Sequence, residues 1–161
     1  MINIVIFGIS GHAKVIVDII KNEKKYNILG FIDNNKPQGS VVSDFKVLGS
    51  DTELNTLIEK FNFSKGIIAI GDNYLRYNLS KKIISLNSDF EFINCIHPYT
   101  FISNNAKIGY GNVIMPGVTI NSSVIINNHC ILNTNASIDH DCIMMNYSSL
   151  APNAAIGGNS Q

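Results

Sequence analysis

The sequence predicts a two-part chain: an α/β domain with a parallel sheet over residues 1–95, then a parallel β-helix of six-residue repeats over residues 96–161. Two observations carry this. Every sixth residue from Ile96 onward, namely Ile102, Ile108, Ile114, Ile120, Ile126, Leu132, Ile138, Met144, Leu150 and Ile156, is a large apolar residue. The first 95 residues lack that period and alternate short β-rich apolar runs with longer mixed segments, as strands and helices do in a parallel sheet.

In the first part, the runs predict strands at about 2–7, 27–32, 66–70 and 90–94. The mixed segments predict helices at about 12–22, 51–61 and 73–86. In the second part, a period of six fits neither a 3.6-residue helix nor a heptad, so it denotes a solenoid. A second series, four places after the first, is mostly small: Thr100, Ala106, Asn112, Val118, Val124, Cys130, Ala136, Cys142, Ser148, Ala154 and Ser160, with Asn112 its one bulky polar member. Large and small residues at fixed offsets suit short flat strands around a filled axis. Asn, Gly, Asp and Pro between them supply the corners. The period changes near Cys95 to Pro98, which places the boundary there.

Twelve Lys and Arg balance twelve Asp and Glu, so no basic field exists to draw nucleic acid or an anionic membrane surface. No apolar run approaches the roughly 18 residues a membrane span needs. The three cysteines, Cys95, Cys130 and Cys142, have no metal-ligand or redox spacing, which fits a soluble, cytoplasmic protein. Cys130 and Cys142 fall in the small inward series and are expected in the core.

The glycine-rich turn Gly8 to His12 leaves a buried strand and opens a helix, so its N–H groups and the positive helix end would meet a phosphate. Asp33, after the second strand, and Gly71 to Asn73, after the strand at 66–70, should reach the same sheet edge, because parallel-sheet sites lie beyond strand C-termini. A dinucleotide cofactor with Asp33 on a ribose is the rival, but the glycine fingerprint is incomplete. For chemistry, His140 stands out between Asp139 and Asp141, since a neighbouring carboxylate favours the imidazolium that a general base becomes. A zinc site through His129 and His140 is disfavoured, because no histidine follows His140.

Gly8-Ile9-Ser10-Gly11-His12-Ala13-Lys14-Val15, Phe31-Ile32-Asp33-Asn34, Ile70-Gly71-Asp72-Asn73 with Arg76, Asn133 and Ile138-Asp139-His140-Asp141-Cys142 together resemble the sialic acid O-acetyltransferase (NeuD-like) family. That family of hexapeptide-repeat acyltransferases includes bacterial N-acetyltransferases of nucleotide-linked amino sugars. The resemblance implies a Rossmann-like nucleotide-sugar-binding domain, a left-handed β-helix with three hexapeptides per coil, a homotrimer packed through the β-helices, and acetyl-CoA as co-substrate without metal. It also implies roles. Gly8, Ser10, Gly11 and His12 with Gly71, Asp72 and Asn73 would hold the diphosphate, Arg76 would pair with phosphate, and Asp33 and Asn34 would approach the base. His140 would be the general base with Asp141 as partner, and Asn133 would orient the acceptor sugar. Ser149 and Gly158 would lie along the cofactor.

The expected activity is N-acetylation of a nucleotide-activated amino sugar for surface-glycan synthesis, with O-acetylation of sialic acid as the nearest alternative. Eleven hexapeptides make fewer than four coils, and the array reaches Gln161 without a visible cap. A shortened, catalytically poor homologue that binds nucleotide sugar and trimerises is therefore a further expectation.

Overall fold

The computed structural model describes residues 1–161, which divide into two compact units, Met1–Ile93 and Asn94–Gln161. In the first unit, β1 (Ile2–Phe7), α1 (Gly11–Glu23) and β2 (Tyr26–Ile32) lead to a hairpin of β3 (Val41–Val42) and β4 (Phe45–Gly49). There follow α2 (Leu54–Phe61), β5 (Lys65–Ile68), α3 (Asn73–Leu86) and β6 (Glu91–Phe92). The sheet order is β3-β4-β2-β1-β5-β6, parallel except for the antiparallel β3–β4 pair.

Central β1 explains itself: Ile4, Val5, Ile6 and Phe7 are all fully buried, as a parallel strand covered on both faces requires. Helix α1 turns Ala13, Ile16, Val17 and Ile20 inward at helical spacing and stops at Lys24, which takes a left-handed φ of 56°. The β3–β4 hairpin was not predicted. Its strands are short, and its turn uses Ser43 and Asp44 at φ 47° and 72° in place of the Asn-Gly that would have signalled it.

The second unit is a parallel β-helix. Eleven two-residue strands run β7 (Cys95–Ile96), β8 (Phe101–Ile102), β9 (Lys107–Ile108), β10 (Val113–Ile114), β11 (Thr119–Ile120) and β12 (Ile125–Ile126). They continue as β13 (Ile131–Leu132), β14 (Ser137–Ile138), β15 (Ile143–Met144), β16 (Ser149–Leu150) and β17 (Ala155–Ile156). Three sheets, β7-β10-β13-β16, β8-β11-β14-β17 and β9-β12-β15, form the faces. Cys95, taken from sequence as the end of the first part, pairs with Val113, and so the β-helix begins earlier than its aliphatic series suggested.

Neighbouring coils pair in one register throughout: Ile102 with Ile120, Ile120 with Ile138, Ile138 with Ile156. The aliphatic series thus stacks on itself as an axial core with Val118, Val124, Cys130, Ala136 and Cys142. Corners recur with the same period. Gly111, Gly117, Ser123, His129, Asn135, Asp141, Tyr147, Asn153 and Asn159 all have φ between 57° and 75°. Asn112 is fully buried because it stitches coils together: its Oδ1 accepts the Cys130 N–H at 2.7 Å, and its own N–H donates to Asn94 Oδ1 at 2.9 Å.

Ile120 is fully buried in the middle of this stack. Ile120→Ala should cost about 2–5 kcal/mol of unfolding free energy, read as a lowered midpoint in chemical denaturation.

Candidate functional site

At the C-terminal ends of β1 and β2 the first unit has a cavity of about 340 Å³. Gly8, Asp33 and Asn34 line it, together with Asp51, Asn78 and Lys82, which the sequence reading did not single out. Asn78 and Lys82 are four apart on α3, with Leu75 and Leu79 on the same wall, a helical spacing that could have revealed them.

The polar groups around this cavity are tied to one another. Asp33 Oδ2 accepts the Ile9 N–H at 3.0 Å, while its Oδ1 accepts those of Asn35 and Lys36 at 2.8 and 3.1 Å. One carboxylate thus joins the glycine-rich turn to the turn after β2. The Asn34 carboxamide grips Asp51 twice, accepting its N–H at 3.0 Å and donating to its Oδ2 at 2.9 Å. Asp51, only 4% exposed, also receives Lys82 Nζ at 2.6 Å. A buried carboxylate needs such a partner.

Gly8 has φ 95° and donates its N–H to Ile32 O at 2.9 Å; a Cβ there would meet Ile70 Cγ1 at 3.0 Å. The backbone angle favours glycine, and the close approach of Ile70 adds to that preference. Ser10 precedes α1, but its hydroxyl donates to Ala69 O at 3.1 Å and leaves the helix end without a side-chain cap. Positions Gly11 and Gly71 are open, with nothing within 4 Å of a Cβ placed on either.

Several side chains expected to contact ligand instead build the loop after β5. Arg76 is 1% exposed, and its guanidinium donates to the carbonyls of Ile70 and Gly71 and to Asn73 Oδ1, at 2.8–2.9 Å. It is a loop anchor and not an open charge awaiting phosphate. Asp72 caps α3 by accepting the Leu75 N–H at 2.8 Å. His12 is partly buried, with its Nε2 lacking a hydrogen-bond partner. Burial first, and the Arg76 charge second, lower its pKa from 6.5 to about 4.

In the second unit, His140 and Asp141 sit at a β-helix corner with side chains 52% and 56% exposed, and His140 Nδ1 lies 2.8 Å from Asp141 Oδ2. The His140 N–H donates to Asp139 Oδ1 at 2.8 Å, which also receives Asn121 Nδ2 from the neighbouring coil at 3.1 Å. These two N–H donors hold the Asp139 carboxyl below its usual range. The imidazole pKa moves up, chiefly through the hydrogen bond to Asp141, then through the Asp139 charge. The carboxylate on Nδ1 makes that nitrogen the N–H donor, leaving Nε2 as the basic atom.

Asn133 donates its Nδ2 to Leu150 O at 2.5 Å, as Asn127 does to Met144 O at 3.0 Å, so its carboxamide oxygen is what it would offer a ligand. Ser149 is exposed on β16. Gly158 lies against the His140 ring. His129 is buried, stacked on Tyr147 at 5.0 Å and edge-on to Tyr110 at 5.4 Å. The cysteines form no disulfide, and Cys130 and Cys142 are in the core as expected.

Residues 3–83 match the family model of the PglD N-terminal domain. The chain belongs to that family. It is 34% identical over 117 residues to the UDP-N-acetylbacillosamine N-acetyltransferase of Bacillus subtilis (strain 168), a match covering 71% of this chain and 52% of that relative. The chain therefore spans about half of that relative's length.

Among solved structures, a histidine-to-alanine mutant of the Caulobacter crescentus GDP-perosamine N-acetyltransferase, in complex with CoA and GDP-perosamine, superposes with a TM-score of 0.89. The two are 31% identical, with 97% of this chain and 71% of that one covered. The acetyltransferase domain of PglB from Neisseria gonorrhoeae FA1090, in complex with acetyl coenzyme A, superposes with a TM-score of 0.83. That pair is 28% identical, with 98% of this chain and 74% of that one covered. The architecture of this family member is thus a Rossmann-like parallel-sheet unit followed by a left-handed β-helix; the repeat implied the parallel β-helix, and the resemblance its hand. No helix is long and apolar enough to cross a membrane.

His12 gives a pH dependence with a definite sign. Its folded pKa of about 4 lies below the ordinary 6.5, so the unfolded chain takes up the proton first on acidification. Stability should therefore fall as pH drops from about 6.5 to 4, and His12→Gln should flatten this decline in denaturation curves measured across that range.

Proposed function

We propose that this chain transfers an acetyl group from acetyl-CoA to the amine of a nucleotide-activated amino sugar, with His140 as general base and Asp141 as its partner. The observation that carries the reading is the exposed His140–Asp141 pair, with its 2.8 Å contact at Nδ1 and a raised imidazole pKa. Membership of the PglD N-terminal domain family and the likeness to enzymes crystallised with CoA and GDP-perosamine support it.

The chemistry needs little more. A neutral amine attacks the thioester carbonyl, forming the C–N bond. His140 Nε2 takes the amine proton as the tetrahedral adduct develops, and Asp141 stabilises the resulting imidazolium. Collapse breaks the C–S bond, and the proton passes to the departing sulfur to give the CoA thiol. No protein nucleophile is required.

In this reading, Asn133 orients the acceptor sugar, and Ser149 and Gly158 lie along acetyl-CoA. The nucleotide occupies the cavity in the first unit. Its diphosphate meets Gly8 to His12 at the uncapped start of α1 and the loop Gly71 to Asn73, which Arg76 anchors. Asp33 and Asn34 approach its base, joined by Asp51 and Lys82. The enzyme works in the cytoplasm, as a homotrimer packed through the β-helices, in building a surface glycan.

The test is thiol release from acetyl-CoA with UDP-, GDP- and TDP-linked amino sugars and with sialic acid as acceptors. Turnover with a nucleotide-linked amino sugar is expected; turnover with sialic acid alone would overturn the choice of acceptor. His140→Ala should lower kcat about 10²–10⁴-fold while nucleotide binding by calorimetry is unchanged, and turnover equal to the parent chain would refute the base assignment.

Asp141 sits at φ 57°, a conformation that asparagine also tolerates, so Asp141→Asn removes the charge with the corner kept. Because the carboxylate raises the imidazole pKa, the acidic limb of the kcat–pH profile should shift to lower pH in this variant.

A further inference from the structure

Gly157 and Gly158 are adjacent in sequence but sit in different surroundings. A Cβ built on Gly157 meets nothing within 4 Å, whereas one built on Gly158 meets His140 Cε1 at 2.8 Å, Nε2 at 2.9 Å and Nδ1 at 3.2 Å. Gly158 does not have a positive φ, unlike Gly111 and Gly117, so its backbone does not call for glycine. What a side chain there would displace is the imidazole.

The two positions face each other because His140 and Gly158 occupy equivalent places in successive coils. That stacking is fixed next door, where Asn159 N–H donates to His140 O at 3.0 Å. We infer that Gly158 is a positioning residue whose bare Cα seats the His140 ring, fixing the Nε2 edge while Asp141 holds Nδ1. A methyl group would drive the ring out by about half an ångström to reach ordinary van der Waals distance. A ring displaced in this way must carry the Asp141 carboxylate with it or lengthen the 2.8 Å contact between them. The catalytic consequence rests on the proposed role of His140; the seat itself does not.

The experiment compares Gly158→Ala with Gly157→Ala in the full chain. Gly158→Ala should lower kcat about tenfold or more, since small misplacements of a base are costly, a loss in kcat that stands apart from any change in KM for acetyl-CoA, along which Gly158 is also placed; Gly157→Ala should leave kcat unaltered. In proton NMR, the His140 C2–H resonance should move in Gly158→Ala and stay in place in Gly157→Ala. As a guard against a folding defect, Gly158→Ala should lower the Tm of the parent chain but not of the His140→Ala variant, which has no ring to displace.

A raised KM with unchanged kcat would show that Gly158 serves the cofactor alone and overturn the inference. An unmoved C2–H resonance, or an equal Tm loss in both backgrounds, would overturn it as well. If the parent chain transfers no acetyl group, the proposed function fails, while the NMR and melting comparisons still decide the seat.

Discussion

One backbone constraint governs the second unit: every sixth residue from Gly111 to Asn159 must enter the left-handed region of φ. Each such residue lies in the turn between two short strands, and the uniform spacing places each aliphatic residue above its equivalent one coil below. Left-handed φ costs most residues roughly 1–2 kcal/mol, less for Asn and Asp and nothing for Gly. Ser123 and Tyr147 bear it without that relief, so the stacked core must over-determine their conformation. At position 141, aspartate meets two demands together, turning the corner and placing a carboxylate on the adjacent imidazole.

The first unit depends on internal ties of another kind. Asp33 gathers three N–H donors from two loops, Arg76 gathers three acceptors within one, and Asn34 clasps Asp51 at both ends. These charged or amide groups fix the loops at the rim of the sheet through hydrogen bonds within the protein itself.

Much of this was legible in the sequence, for physical reasons that differ by part. The β-helix could be read because its inward side chains repeat at one spacing, so the signal adds up over eleven strands. The run Ile2–Phe7 could be read because a doubly covered parallel strand is apolar throughout. The hairpin at Val41–Gly49 could not, since two short strands and a Ser-Asp turn give no local signature. Among site residues, His140 and Asp141 are sequence neighbours, and their contact is local. Asp51 and Lys82 are 31 residues apart and meet only through the fold. Arg76 looks like any surface arginine of α3 until the loop after β5 closes over it. Gly158 resembles Gly157 in sequence, and only the coil above His140 tells them apart.

The fixed stacking also limits how such a chain can change length. Removing eighteen residues deletes one coil and leaves every remaining column intact. Removing six between two corners keeps the aliphatic residues inside but rotates all later faces by one third of a turn, so that a residue of another face comes to lie over His140. A single inserted residue, unless it bulges outward at a corner, inverts inside and outside from that point on. Change in this unit is thus quantised in length, with the coil as its unit.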